Sequence, residues 1–218
     1  MQFRWGILAL VALACGSAKA QDQKSVLETD PKGWVDLLDK DLKNWNRVSI
    51  PPKSKLKEKS PWSVTEDGKT LICDGIGYHE MLLFQRDIAD GIFHVKWRFK
   101  VSDKKGYNSG VYVRNSADGA IWHQAQVGNN VGFLFGSTLI DGKKASIPTN
   151  KLPGANRAKP IGEWNTYEIT TRGKNITRWV NGAVTAEWKS CEVPSGYFGL
   201  EAEGYWIEFK NIKLKETK

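Results

Sequence analysis

The chain has 218 residues, of which 40% are hydrophobic and 26% charged, and its formal net charge is +8. This composition excludes a polytopic membrane protein and a disordered chain, and the length suits a single domain. Ten tryptophans and 21 glycines beside two methionines favour short elements joined by many turns over long helices.

The first twenty residues have the pattern of a secretory signal peptide. Arg4 provides the charged start, residues 6–14 form an apolar run, and residues 18–20 end it in small-x-small form. The apolar run is too short for a stable transmembrane anchor. Cys15 permits a second interpretation, a lipoprotein cleavage site that would leave a lipid anchor. Both interpretations predict export to the periplasm or the exterior, with residues 21–32 as an N-terminal tail.

Four lysines surround a single acid between positions 53 and 59. No aromatic side chains alternate with them, as a surface for single-stranded nucleic acid would require. The run is therefore interpreted as a solvated loop, and no nucleic-acid partner is expected.

From Gly33 onward, apolar and polar residues alternate with a period of two, which predicts strands with one buried face. The predicted strands are Phe93–Val101, Ser109–Asn115, Trp122–Val127, Trp164–Thr171, Asn175–Asn181, Ala183–Lys189, Tyr197–Glu203 and Trp206–Lys215. Turn dipeptides such as Asn181-Gly182 separate them. Residues 137–160 are expected to form a long polar loop. Many short strands at close spacing predict one all-β sandwich or barrel domain over residues 33–216.

The two cysteines beyond the signal peptide are Cys73 and Cys191. In an oxidising compartment they can form a disulfide, and two buried free thiols are the alternative. No cysteine or histidine spacing of a zinc site is present.

Alternation also assigns polar side chains to one face of three predicted strands. Because Val111 and Val113 belong to the core, Tyr112 and Arg114 point the other way. The same reasoning gives a shared polar face of Tyr112, Arg114, Gln124, Gln126, Glu201 and Glu203. Amides, carboxylates and an arginine bind sugar hydroxyls, and aromatic rings stack on sugar C–H faces. The pattern favours a carbohydrate ligand, with an ordinary solvated sheet face as the alternative. Most tryptophans are expected in the core.

Five motifs occur in the order found in the 3-keto-disaccharide hydrolase domain family, and the chain resembles that family over residues 33–216. They lie at residues 33–45, 108–114, 162–169, 179–182 and 199–212. The resemblance implies a concanavalin A-like jelly-roll β-sandwich of two antiparallel sheets, with a ligand groove on one sheet. Many members carry Glu-x-Gln-(Ile/Leu)-Asp, where this chain has Gln124 and Gly128 in place of the two carboxylates.

The substrate that the resemblance implies is a glycoside or disaccharide whose 3-hydroxyl is oxidised to a ketone. A base removes the C2 proton, the C1 oxygen substituent leaves, and water adds back. This chemistry needs a base, an acid and a group that holds the enolate. Glu201 and Glu203 are the candidate base and acid, with His123 or His79 as alternatives. Arg114 is the candidate clamp.

The remaining polar residues, Tyr112, Gln124 and Gln126, are candidate substrate ligands. The sequence requires no cofactor, although a divalent metal held by His123, Glu201 and Glu203 would also stabilise an enolate.

Three alternatives remain open at this point. The first is an ordinary glycosidase with two catalytic carboxylates. Glu201 and Glu203 on one strand face would stand roughly 6.5–7 Å apart, which is within the range of inverting glycosidases. A non-catalytic carbohydrate-binding module is favoured by the missing carboxylates at positions 124 and 128. A structural or adhesive cell-surface sandwich is favoured only by the lipid anchor that Cys15 permits.

Overall fold

The computed structural model describes residues 22–217 except 76, 104–105, 129–131, 153 and 155. The predicted signal peptide and the lipidation site at Cys15 lie outside the described residues. Among the described residues, no helix is both long and apolar enough to cross a membrane.

The described residues form one short helix, α1 (Val26–Thr29), and fifteen strands. The strands are β1 (Val35–Asp36), β2 (Trp45–Ser49), β3 (Trp62–Val64), β4 (Thr70–Cys73), β5 (His79–Ile88), β6 (Gly91–Phe99), β7 (Asn108–Asn115), β8 (Trp122–Gly128), β9 (Leu134–Ile140), β10 (Lys143–Asn150), β11 (Asn165–Arg172), β12 (Asn175–Val180), β13 (Ala183–Trp188), β14 (Gly196–Glu203) and β15 (Ile207–Glu216).

These strands pair antiparallel in two sheets. The eight-stranded sheet has the order β13-β12-β11-β6-β15-β4-β3, and β1 also pairs with β15. The seven-stranded sheet has the order β10-β9-β8-β7-β14-β5-β2.

The hydrophobic core lies between the sheets, because alternation gives each sheet one apolar face. Phe93 of the eight-stranded sheet stacks on Phe198 of the seven-stranded sheet, with ring centroids 4.8 Å apart. Val111, Ala125 and Leu200 are buried in the same core. The predicted jelly-roll sandwich of two antiparallel sheets is confirmed.

The long polar loop expected at residues 137–160 is wrong. Most of this segment belongs to the hairpin of β9 and β10, which turns at Asp141-Gly142. Its polar composition has a physical reason, since β10 is an edge strand and its Lys143 and Lys144 are exposed.

Part of the N-terminal tail is docked on the eight-stranded sheet. Ser25 and Glu28 form a capping box on α1. The backbone N–H groups of Val26 and Leu27 donate to the buried carboxylate of Glu168, at 2.6 and 3.0 Å. The carboxylate thus satisfies N–H groups that a helix start leaves without partners.

The expected disulfide is also wrong, because Cys73 and Cys191 are both free and buried. Cys73 pairs with Ile207 inside the eight-stranded sheet, whereas Sγ of Cys191 lies 3.4 Å from the carbonyl oxygen of Val193. Burial raises the pKa of both thiols, which keeps them protonated and chemically inert.

Candidate active site

A pocket of about 310 Å³ lies on the outer face of the seven-stranded sheet. Met81, Leu83 and Tyr112 form a small buried cluster there, separate from the core between the sheets. The pocket is lined by Ile50, Pro52, His79, Met81, Asn108, Tyr112, Gly119, Trp122, Gln124, Gln126, Phe135, Glu201 and Glu203. Five of the six residues predicted to share a polar face therefore meet in one pocket.

Glu201 is the central group of this pocket and is only 3% exposed. Its Oε1 accepts a hydrogen bond from the Tyr112 hydroxyl at 2.6 Å, and its Oε2 accepts one from Nε2 of Gln124 at 2.9 Å. Burial and the charge of Glu201 hold the pKa of Tyr112 well above its ordinary value, so this phenol stays neutral and donates. Donors on both oxygens compensate the buried carboxylate for lost water.

Glu203 follows on the same strand and is half-buried. Burial and the neighbouring charge of Glu201 raise the pKa of Glu203, while a hydrogen bond with the side chain of Asn108 opposes that rise. Gln126 donates from Nε2 to Oδ1 of Asn108. Gln126 thus contacts the same Asn108 side chain that lowers the pKa of Glu203.

His79 stands at the mouth of the pocket, with its side chain 46% exposed. Its Nε2 lies 3.5 Å from Oε1 of Glu201, and its backbone pairs with Glu203 across β5 and β14. The hydrogen bond to Glu201 raises the pKa of His79 above its ordinary value, which favours the imidazolium. A carboxylate and a histidine with raised pKa values beside a buried carboxylate in one cleft are typical of acid–base sites.

The same three groups also suit a divalent cation. His79, Glu201 and Glu203 each offer a ligand atom, and these atoms lie within 4.8 Å of one another. Imidazole and carboxylate are ordinary ligands of first-row transition metals. The donor set therefore fits a cation as well as a proton-transfer pair.

Aromatic rings form one wall of the pocket. Trp122 packs edge-on against Phe135 at 5.2 Å between centroids and against Tyr112 at 6.1 Å. Trp122 was missed as a pocket residue because most tryptophans are expected in the core. Alternation alone predicts its position on the pocket face, because Trp122 has the parity of Gln124 and Gln126 along β8. Such rings suit the C–H faces of a sugar.

The predicted position of Arg114 is wrong. β7 carries one extra residue opposite Phe198, and this bulge shifts the alternation at Arg114. Arg114 has a φ of 51° and is 1% exposed. Its guanidinium donates to the carbonyl oxygen of Val193 and to Oδ1 of Asp90, both at 3.0 Å. Arg114 therefore fastens the turn between β5 and β6 and is absent from the pocket lining.

The predicted position of His123 is wrong as well, for the acid–base and the metal-ligand roles. His123 points inward with the parity of Ala125 and stacks on Trp188, with centroids 5.4 Å apart. Its Nδ1 and Nε2 lie 3.2 Å from the Val113 carbonyl oxygen and 3.0 Å from the Thr138 hydroxyl. Burial lowers the pKa of His123 to about 4, so the imidazole is neutral near pH 7.

The jelly-roll fold and this sugar-sized pocket define a carbohydrate-related domain. Residues 33–215 match the family described as 3-keto-alpha-glucoside-1,2-lyase-like domain, and the chain belongs to that family.

Solved structures share the fold. A candidate glycosyl hydrolase from Parabacteroides distasonis ATCC 8503 is 17% identical with a TM-score of 0.61, covering 91% of this chain and 100% of its own. The carbohydrate binding module CBM66 from Bacillus subtilis is 16% identical with a TM-score of 0.56, covering 80% and 96%. No curated protein sequence matches the chain.

Proposed function

We propose that this protein is an exported enzyme that cleaves 3-keto-glycosides by elimination. The C3 ketone acidifies the hydrogen on C2, so a carboxylate can remove that proton. The released electron pair forms the C1–C2 double bond while the C1–oxygen bond breaks, and the departing oxygen takes a proton. Water then adds across the double bond, which completes a net hydrolysis.

Glu203 is the base in this proposal, because its neighbour Glu201 already accepts protein hydrogen bonds on both oxygens. The raised pKa of Glu203 makes its ionised form a stronger base. His79 is the acid, since its imidazolium can protonate the leaving oxygen. Beyond the hydrogen bond to Glu201, Nε2 of Gln124 has only long contacts, 3.4 Å to Oε1 of Gln126 and 3.5 Å to the carbonyl oxygen of Ser109, and we assign its second N–H to the C3 oxygen.

The observation that carries the proposal is the inequivalence of the two carboxylates. Glu201 is buried and saturated with donors, whereas Glu203 is half-buried and its pKa is raised. Neighbouring carboxylates in such different environments are typical of acid–base catalysis. Family membership and the aromatic wall support a sugar substrate.

Proton transfer and cation binding compete for the same atoms. A bound cation would supply a positive charge for the enolate oxygen. If His79, Glu201 and Glu203 all became ligands, however, the described lining would hold no further carboxylate or imidazole to act as the base. We therefore assign these groups to proton transfer.

The test is the release of the sugar and the aglycone from a 3-keto-glycoside. Glu203→Gln removes the base while keeping its shape, and we expect turnover to fall by about 100- to 10,000-fold. The control is Glu66→Gln, because Glu66 is an exposed residue in the turn between β3 and β4, outside the pocket lining, and its substitution should leave turnover unchanged. Equal turnover of wild type and Glu203→Gln would refute the base assignment.

A non-catalytic carbohydrate-binding module is the second candidate function. It is favoured by the aromatic wall of Trp122 and Phe135 and by the amides Gln124 and Gln126, which bind sugars without performing chemistry. Calorimetric binding of the 3-keto-glycoside or its parent glycoside by the wild type, without release of either product, would assign this function instead.

A further inference from the structure

The outer face of the eight-stranded sheet, away from the candidate active site, carries two adjoining depressions. Their volumes are about 390 and 640 Å³, and Lys96 and Asn211 line both of them. We call this surface the basic groove and define it by its lysines, which are Lys24, Lys69, Lys96, Lys159 and Lys210. None of these lysines forms an ion pair within the described part of the chain.

Two of the four acidic side chains of the same lining pair with cations outside this lysine set, Asp22 with Arg157 and Asp36 with Lys213. The other two, Glu28 and Asp67, remain charged beside lysines of the groove and offset only part of their charge. The basic groove therefore keeps an excess of positive charge.

Two of the lysines stand directly opposite each other in the middle of the sheet. Lys96 and Lys210 are cross-strand partners on β6 and β15 and share the outer face. Like charges in this position destabilise a sheet. The neighbouring cross-strand pair instead joins opposite charges, since Nε of Arg98 lies 2.7 Å from Oε2 of Glu208. The opposition of Lys96 and Lys210 is thus unfavourable to the sheet, which indicates a role in binding.

The environment of Lys210 strengthens this argument. Its Nζ lies 3.9 Å from the centre of the Trp164 ring. Burial and the charges of Lys96 and Arg98 lower the pKa of Lys210, so the surrounding protein disfavours its charged form. An anion placed between the two lysines would relieve that cost.

Two polar atoms beside the groove also lack a protein partner. Nε2 of His94 and Nε1 of Trp179 are buried without a hydrogen bond among the described residues, and both side chains line the smaller depression. His94 is 2% exposed, and its other ring nitrogen lies 2.9 Å from Glu168. Buried polar groups are normally satisfied, so these two atoms point to a polar ligand.

We propose that the basic groove binds an anionic polysaccharide whose sugars carry carboxylate or sulfate groups. The groove crosses β4, β15, β6, β11 and β12, a width of roughly 20 Å at ordinary strand spacing. This width accommodates several sugar units. Hydroxyl and amide side chains lie among the lysines and suit sugar hydroxyls, namely Thr70, Thr166 and Asn211.

A nucleic acid fits this groove less well. Binding of a single strand uses successive aromatic platforms for its bases. Among the described lining residues, Trp179 alone is aromatic apart from His94. Trp164 lies nearby, but Arg98 and Lys210 both stand over its ring, at 4.7 and 3.9 Å from the centroid. The proposal does not depend on the chemistry of the candidate active site.

The experiment is calorimetric titration of the intact protein with polygalacturonate and with dextran sulfate, using neutral dextran as the uncharged control. We expect binding of at least one of the two polyanions, with an affinity that falls as salt rises. The double substitution Lys96→Gln and Lys210→Gln should weaken that binding by about tenfold or more. The matched control is Lys143→Gln with Lys144→Gln, which removes two exposed charges from β10 and should change affinity by less than about twofold.

Four outcomes would overturn the proposal. In the first, the wild type binds neither polyanion. In the second, both double variants lose affinity equally, and in the third, single-stranded DNA binds as tightly through the same lysines. The fourth is a lower melting temperature for the Lys96 and Lys210 double variant, which would give these lysines a structural role. Removal of the like-charge pair should instead leave the melting temperature unchanged or higher.

Discussion

Gln124 reaches Glu201 by passing over the backbone of Gly110. Gly110 lies on β7, between the strands that carry the other two residues. A Cβ at this glycine would stand 2.6 Å from Cδ and 2.7 Å from Cγ of Gln124. The 2.9 Å hydrogen bond from Gln124 to Oε2 of Glu201 therefore depends on the absence of a side chain at position 110.

Gly110→Ala should displace the amide of Gln124 and leave Oε2 of Glu201 without its donor. We expect the free energy of unfolding to fall by about 1–3 kcal/mol, as for other insertions into a packed site. Turnover of a 3-keto-glycoside, or sugar affinity, should fall with it. Urea denaturation and the product-release assay measure the two effects.

A double-mutant cycle supplies the control for this substitution. In a Gln124→Ala background the new methyl group at position 110 no longer meets the glutamine, so Gly110→Ala should cost much less there. Additive effects of the two substitutions would contradict the proposed contact, since residues in contact normally couple.

Chelation distinguishes the two uses of His79, Glu201 and Glu203. Because we assign them to proton transfer, we expect turnover to survive prolonged treatment with EDTA. Turnover should also show no rise when Mn²⁺ or Zn²⁺ is added back. Loss of activity on chelation, restored by either cation, would make the three side chains metal ligands and would refute Glu203 as the free base.

The hydrogen bond between His79 and Glu201 should make stability depend on pH. The pKa of His79 is raised in the folded protein, so its stabilising contribution is complete below the unfolded value of about 6.5 and is lost as pH rises through the folded value. His79→Gln removes this contribution. In EDTA-treated protein, the difference in unfolding free energy between wild type and variant should be larger near about pH 5.5 than near about pH 9. A difference independent of pH would count against the ion pair.

Much of the candidate site could be predicted from alternation alone. The parity of core residues in β7, β8 and β14 puts Tyr112, Gln124, Gln126, Glu201 and Glu203 on one face, and these side chains line one pocket. Their catalytic and binding roles stay predictions.

The errors have separate physical reasons. Arg114 lies in a bulge of β7, and alternation cannot reveal an extra residue in a strand. His123 has the parity of Ala125 along β8, so alternation alone predicts its inward position and argues against a place in the site. His79 was named only as an alternative, because β5 was not among the predicted strands that placed polar residues. The disulfide prediction is wrong because an even number of cysteines does not show whether two side chains meet.

Arg114→Lys tests whether this residue serves the fold or the substrate. The guanidinium donates to the carbonyl oxygens of Val193 and Ala89 and to Asp90, and a single ammonium cannot reproduce that fork. We expect the free energy of unfolding to fall by about 2–4 kcal/mol, with turnover per folded molecule unchanged. Arg172→Lys, at the exposed end of β11, is the matched control and should change stability by less than about 0.5 kcal/mol. Denaturation curves and turnover measured on the same samples decide the matter, because a substrate clamp would show unchanged stability and lost turnover.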